Sequence, residues 1–269
     1  MINSCSSDKE LYEIYEKGHS KYSDQEYTIR CKLAAAYRLM AYFKWDELIY
    51  NHLTARIPGT EHILLNPFGM RFDEITASSL VCVDLDGKVV DPGNTTHGFN
   101  YTGYVIHGAI HKSRPDVLAT VHTHSPPGVA VASYKDGLLL TNQTACTLGE
   151  VTYHDYEGIS TDKDEQERII KSLGDTSNVL ILRNHGLLTC GDDVAAAFAR
   201  IFTLTKACEI QVQTLSMVGG DQSKITPISQ EIQDKVANTH KMFSRVGYGK
   251  KEFKAFYNLM LQLDPSFKN

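Results

Sequence analysis

Apolar and polar positions follow two rhythms along this chain. Residues 26 to 44, EYTIRCKLAAAYRLMAYFK, carry apolar residues at helical spacing without Gly or Pro and predict an amphipathic helix. LIYNHLTARIPGTEHILLNPFG then offers two β-rich runs broken at Pro58-Gly59, and SSLVCVDLDGKVVDPG offers another strand pair turning at Asp86-Gly87. NYTGYVIHGAIHKSRPD reads as a helix ended by Arg114-Pro115. The run Val117 to Val121 is rich in β-branched residues, and Pro126-Pro127 stops it, so a strand is expected there. SPPGVAVASYKDG predicts a short helix, and DKDEQERIIKSLG an amphipathic helix ending at Gly174. NVLILRNHGLLTCG reads as a strand, a break at Asn184-His185-Gly186, and a second strand. An alanine-rich helix from Asp193 follows, closed by Gly219-Gly220. Beyond it come a polar linker, a helix from about Ser229 to Ser244 and a last helix near 250 to 262. Strands and helices interleave, so the fold class is α/β with layered architecture.

Composition narrows the function classes. The 269 residues are 42% hydrophobic and 22% charged, with a formal net charge of −5. This is globular composition with room for one full core. No basic stripe argues for nucleic acid, and no apolar run approaches the length of a membrane span. The N-terminal residues 1–25 lack the pattern of a secretory signal and read as a polar arm with one short helix. The six cysteines are scattered without a CxxC pair, which makes a reducing, cytoplasmic compartment the default. The expected organisation is an arm over 1–25, a domain over 26–220 and a helical extension over 221–269.

The chemistry gathers at histidines. In LATVHTHSPPG, His122 and His124 stand two apart at a strand's end, where side chains i and i+2 share a face. A metal site and an ordinary surface pair both fit that spacing. His185 caps another apolar strand, either as a turn residue or as a third imidazole beside the first two. Three nitrogens with an open fourth position are how catalytic zinc is held, and imidazole also suits other first-row ions.

RPDVLATVHTHSPPGVAVAS together with LILRNHGLLTCG resembles the class II aldolase/adducin family, over about Ile29 to Ser216. YNHLTARI, LLNPFGMRFDEITASSL, GEVTYHDYEGI and LTKACEIQVQTL look most similar to its adducin-like branch. The resemblance implies a three-layer α/β/α sandwich around a mostly antiparallel sheet. It implies a homotetramer with sites at subunit interfaces, and a divalent metal on His122, His124 and His185. Zinc is the first expectation, with manganese or iron as alternatives. The metal would polarise a small hydroxy-carbonyl substrate for aldol cleavage, epimerisation or dehydration.

The sequence also departs from that pattern. The aldolases carry a carboxylate four residues ahead of a helix histidine; here the histidine is His107 and the earlier position is Gly103. His107 is the expected replacement, as base, fourth ligand or supporting group, with a core histidine as the alternative. His111, one turn on, is expected to be packed or exposed. Where the dehydratase branch has a glutamate, this chain has Thr144, and the nearby Glu150 reads as a surface residue. The phosphate-binding turns correspond to Asn51-His52-Leu53-Thr54 and Phe68-Gly69. Thr54 and Gly69 are the expected substrate contacts, with Arg56 as a possible aid, and Phe68 makes a phosphorylated sugar a poor fit. Tyr153, His154 and Tyr156 read as strand aromatics or as pocket lining. Two functions follow: a metal-dependent aldolase-type enzyme, or a catalytically silent adducin-like assembly domain at the actin–spectrin cytoskeleton. The polar neck and Lys-rich tail that resemblance to whole adducin would bring are not seen in this sequence. A metal that serves stability alone is a third reading.

Overall fold

The computed structural model describes residues 11–158, 163–243 and 247–269. The helix expected in the N-terminal arm and Cys5 fall wholly or partly outside them.

The first helix, α1 (Asp24–Tyr42), starts where Ser23 accepts a hydrogen bond from the Glu26 backbone. Four strands follow: β1 (His52–Arg56), β2 (Ile63–Leu65), β3 (Val81–Val83) and β4 (Val89–Asp91). Helix α2 (Tyr101–Ser113), capped by Asn100, leads to β5 (Ala119–Thr123). Two short helices, α3 (Pro126–Ala132) and α4 (Gln143–Cys146), precede β6 (Thr152–His154). Helix α5 (Lys163–Leu173), β7 (Val179–Leu182), β8 (Gly186–Gly191) and the long α6 (Val194–Met217) come next. Helices α7 (Gln230–Phe243) and α8 (Lys250–Leu263) close the chain. The short α4 carries no periodic signal and was not expected.

Among the described residues the strands form one sheet, ordered β4-β3-β2-β1-β5-β8-β7-β6. Its pairings are antiparallel except β6 with β7. This is the mostly antiparallel three-layer sandwich expected. Strand alternation sorts residues between two helical layers. Leu53, Ala55, Ala119 and Val121 join the larger core with α1, α6 and α8. On the other face, α2 and α5 cover a smaller core of Ile106, Ile110, Leu173, Leu180 and Leu188.

The chain beyond residue 220 does not stand apart. Phe253, Tyr257 and Phe267 lie in the larger core beside Tyr37 and Phe198. The arm also packs, with Ile14 and Tyr22 buried there. Both segments pack into the core on the sheet face opposite the histidines.

Register places the chemistry. His52 pairs with His122 and Thr54 with Thr120 across β1 and β5, while His122 faces Leu188 of β8. Being even-numbered on paired strands, these polar residues all project toward α2, away from the larger core.

Candidate metal centre

His122 and His124 extend from the end of β5 on one face, as the two-residue spacing requires. Their ring centroids are 4.6 Å apart. His185 arrives from the tight turn between β7 and β8, its centroid 4.8 Å from each of the others. One ligand nitrogen from each ring lies within 4.8 Å of the other two. The turn uses Asn184 at φ +56°, a conformation asparagine tolerates, and the Asn184 amide donates to the Ala132 carbonyl at 3.1 Å. Gly186 lets the turn close: a Cβ there would stand 2.6 Å from the Thr123 carbonyl oxygen and 3.0 Å from the His124 ring.

The outer hydrogen bonds fix which nitrogens face inward. His122 Nδ1 donates to the Leu187 carbonyl at 2.9 Å. His124 Nδ1 donates to the Glu47 carboxylate. Both Nε2 atoms therefore point their lone pairs into the cluster, where they stand 2.8 Å apart. A proton can bridge only two nitrogens, whereas a metal ion serves all three. Tetrahedral zinc at about 2.0–2.1 Å from each nitrogen would space them by roughly 3.3 Å, which asks the His122 and His124 nitrogens to part by about half an ångström and sets the His185 nitrogen, within 4.8 Å of both, at the third corner. The donor set fits a divalent metal, with a carbonyl and a carboxylate orienting two ligands from behind.

Glu47 was not expected, because its contact spans 77 residues of sequence. It sits in a bend where Lys44, Glu47 and Leu48 all have positive φ. Asn51 braces this bend: its Nδ2 donates to the Trp45 carbonyl at 2.6 Å, and its Oδ1 accepts from the His124 amide at 3.1 Å.

Beneath the three histidines lies a buried polar layer. His107 is fully buried. Its Nδ1 lies 2.6 Å from the Thr120 hydroxyl and 3.0 Å from that of Thr54, and its Nε2 lies 3.1 Å from His52 Nδ1. His107 is thus not open to a substrate and not among the three clustered ligands; its place is that of a supporting group. Thr54 also departs from expectation. Its hydroxyl meets His111 Nε2 at 2.8 Å and Thr120 at 2.6 Å, and it is 1% exposed, so it has no free group for a substrate anion. His111 is packed, bonding the Val117 carbonyl at 3.1 Å.

Gly69 lies in an exposed turn at φ +114° with the His97 ring beside it. The turn needs a glycine, and no hydrogen bond joins it to the histidine cluster among the described residues. Arg56 turns to the His111 carbonyl at the end of α2. Glu150 is exposed and accepts from Thr176, as a surface residue would. Tyr153 stacks under the Arg183 guanidinium and His154 bonds Ser172, both within the framework. Tyr156 alone of that group reaches the centre, its ring 6.3 Å from His185 and half exposed.

His52, marked in the sequence only as part of the Asn51-His52-Leu53-Thr54 turn, borders the centre with its ring 4.9 Å from that of His122. Its ring fills the space beside Gly103: a Cβ there would stand 2.4 Å from His52 Cδ2 and 2.7 Å from Nε2. The position four residues ahead of His107, where the resemblance implies a carboxylate, is thus closed by an imidazole on the neighbouring strand.

Burial pushes the histidines toward neutrality. For His52, His107 and His122 desolvation holds the ring well below the usual imidazole range, and neighbouring histidines add to it. His111 is pushed down to about 3 by burial, and His185 to about 4 by burial and His124. Neutral rings are what a metal requires as ligands.

The fold and site together define an α/β protein with a three-histidine centre at its strand ends. The chain belongs to the class II aldolase and adducin N-terminal domain family, whose pattern matches residues 31–212. It is 50% identical to rat alpha-adducin over 205 residues, which are 76% of this chain and 28% of that protein. The match therefore spans under a third of that relative's length. Among solved structures, an aldolase II superfamily protein from Pseudomonas syringae has a TM-score of 0.87 and 44% identity, covering 93% of this chain and 98% of that one. An L-fuculose 1-phosphate aldolase from Glaciozyma antarctica has a TM-score of 0.78 and 28% identity, covering 97% and 99%.

Two outcomes follow from this geometry. The metal-free protein should lose stability as pH falls below about 6.5, because the unfolded chain takes up protons that buried rings such as His111 refuse. Each such ring contributes about 1.4 kcal/mol per pH unit down to its folded value. Urea unfolding between pH 7.5 and 4.5 measures the slope, and His111→Gln should flatten it by that amount. Gly103→Ala should destabilise by about 1–3 kcal/mol through the clash with His52. In the double variant with His52→Ala the two costs should fall short of additive, as a double-mutant cycle would report. Strict additivity would mean the two residues do not compete for space.

Proposed function

We propose that this chain is a divalent-metal-dependent enzyme of aldolase type acting on a small hydroxy-carbonyl substrate by lyase, epimerase or dehydratase chemistry. The observation that carries the reading is the pair of inward lone pairs on His122 and His124, closed by His185 and oriented by Leu187 and Glu47. His122, His124 and His185 would hold the metal, zinc first, with manganese or iron as alternatives. Such a metal supplies Lewis-acid polarisation of a substrate oxygen. The chain's own part is to hold three neutral imidazoles in place, keep their outer nitrogens occupied, and leave one side of the cluster for the ligand.

The relative described as an L-fuculose 1-phosphate aldolase supports the reaction class. It does not carry its phosphate to this chain, because Thr54 is buried and committed. A substrate without phosphate at that position suits the site better. The expectation of a homotetramer gains support from the exposed apolar residues Leu48, Tyr50 and Tyr156 around the centre, which a second copy could cover. Five free, buried cysteines suit a reducing, cytoplasmic setting. Among the described residues no helix is long and apolar enough to cross a membrane.

The identity with rat alpha-adducin favours a second reading, an assembly domain with cytoskeletal partners such as actin or spectrin. Proton exchange separates the two. Protein loaded with zinc, manganese or iron should exchange the α-protons of dihydroxyacetone or related hydroxy-carbonyl compounds for deuterium, followed by NMR. His122→Ala and His185→Ala should lose both bound metal and exchange. A folded, metal-loaded protein inert toward the whole panel would favour the assembly reading.

A further inference from the structure

The layer under the centre is directional. The Val117 carbonyl only accepts, so His111 Nδ1 carries the proton of that 3.1 Å bond. The neutral ring then has a bare Nε2, and the Thr54 hydroxyl donates to it at 2.8 Å. Thr54 has spent its one proton, so its 2.6 Å contact with Thr120 is a bond only if Thr120 donates. Thr120 is then spent as well, and His107 Nδ1 must donate to it at 2.6 Å. His107 Nε2 is left bare and accepts from His52 Nδ1 at 3.1 Å. The opposite direction would leave two threonine oxygens 2.6 Å apart with no proton between them. Each link follows from one carbonyl at the far end.

The chain ends at His52 Nε2. That nitrogen has no hydrogen-bond partner among the described residues; it lies against the Gly103 surface of α2, the ring is 4.9 Å from that of His122, and the residue as a whole keeps 6% exposure. We propose that His52 is a specificity-determining residue, locked with its proton on Nδ1, whose Nε2 faces the ligand space and accepts a hydrogen bond from a free hydroxyl adjoining the metal-chelating oxygen. This deepens the enzymatic reading above and rests on it. An acceptor-only nitrogen repels a ketone or carboxylate oxygen at that point, and an etherified or phosphorylated hydroxyl has no proton to offer. The substrate class becomes a hydroxy-carbonyl compound whose hydroxyl beside the carbonyl is unsubstituted. In the place where the aldolase pattern has a carboxylate, this chain has a neutral acceptor fixed in one tautomer.

The test has two arms on the full chain. Two-bond proton–nitrogen correlation NMR of histidine-labelled protein reads which ring nitrogen carries each proton. His52, His107 and His111 should all be Nδ1-protonated, and the Thr54→Val/Thr120→Val double variant, which removes both hydroxyls within reach of His107 Nδ1, should release His107 and His52 into mixed tautomers while the Val117 carbonyl keeps His111 Nδ1-protonated. The zinc-loaded protein is then titrated by calorimetry with glycolohydroxamate and with acetohydroxamate, which differ by one hydroxyl. The hydroxylated probe should bind about tenfold tighter, the worth of one net hydrogen bond. That preference should shrink to near unity in His52→Phe and fall in the Thr54→Val/Thr120→Val double variant, with acetohydroxamate affinity little changed. A wild-type His52 protonated on Nε2 overturns the inference, as do equal affinities for the two probes. If zinc is held but neither hydroxamate binds, the open coordination position fails and the enzymatic reading falls with the inference.

Discussion

Two nitrogen lone pairs facing each other across 2.8 Å repel unless a positive charge lies between them. That constraint at His122 and His124 organises much of the surrounding structure. The rings cannot turn away, because Leu187 and Glu47 hold their outer nitrogens. Leu187 can do so because β8 runs antiparallel to β5, and the turn that starts β8 also delivers His185. Gly186 permits the close approach of turn and strand, and the bend at residues 44 to 48 with its positive φ values brings Glu47 across. Backbone strain in that bend is of the kind that persists only where the surroundings over-determine it.

Behind this centre a gap on one element is filled by a side chain from another. Gly103 leaves a hole on α2, and His52 on β1 fills it. The gap holds a buried imidazole tied into a threonine–histidine network. A fully satisfied buried network of this kind is rigid, and a partly satisfied one is costly. Thr54, Thr120, His107 and His111 are therefore best understood together, as the fixed backing of the site, and not as separate candidates for contact with a ligand.

Much of the framework was legible in the sequence, because period-two and period-3.6 patterning survive in these elements. The period of the strand through Val117 to Val121 by itself puts His122 and His124 on one face, and Asn184-His185-Gly186 marks the turn that supplies the third ring. The short α4 was missed because four residues hold no period. The substrate role assigned to Thr54 failed for a physical reason: a strand residue's face was readable, but whether that face met solvent or a helix was not. The same i, i+2 rule that paired His122 with His124 also pairs His52 with Thr54, and it was the available signal for the buried layer. Glu47 had no such signal, since only the tertiary fold brings it to His124.

Anomalous diffraction from crystals of zinc-loaded protein, recorded on both sides of the zinc edge, tests the central claim most directly. The account predicts a single strong peak about 2.0–2.1 Å from Nε2 of His122, Nε2 of His124 and one ring nitrogen of His185, with the Leu187 and Glu47 hydrogen bonds intact. A peak elsewhere, or none in a folded protein with the two Nε2 atoms still facing each other, would contradict it.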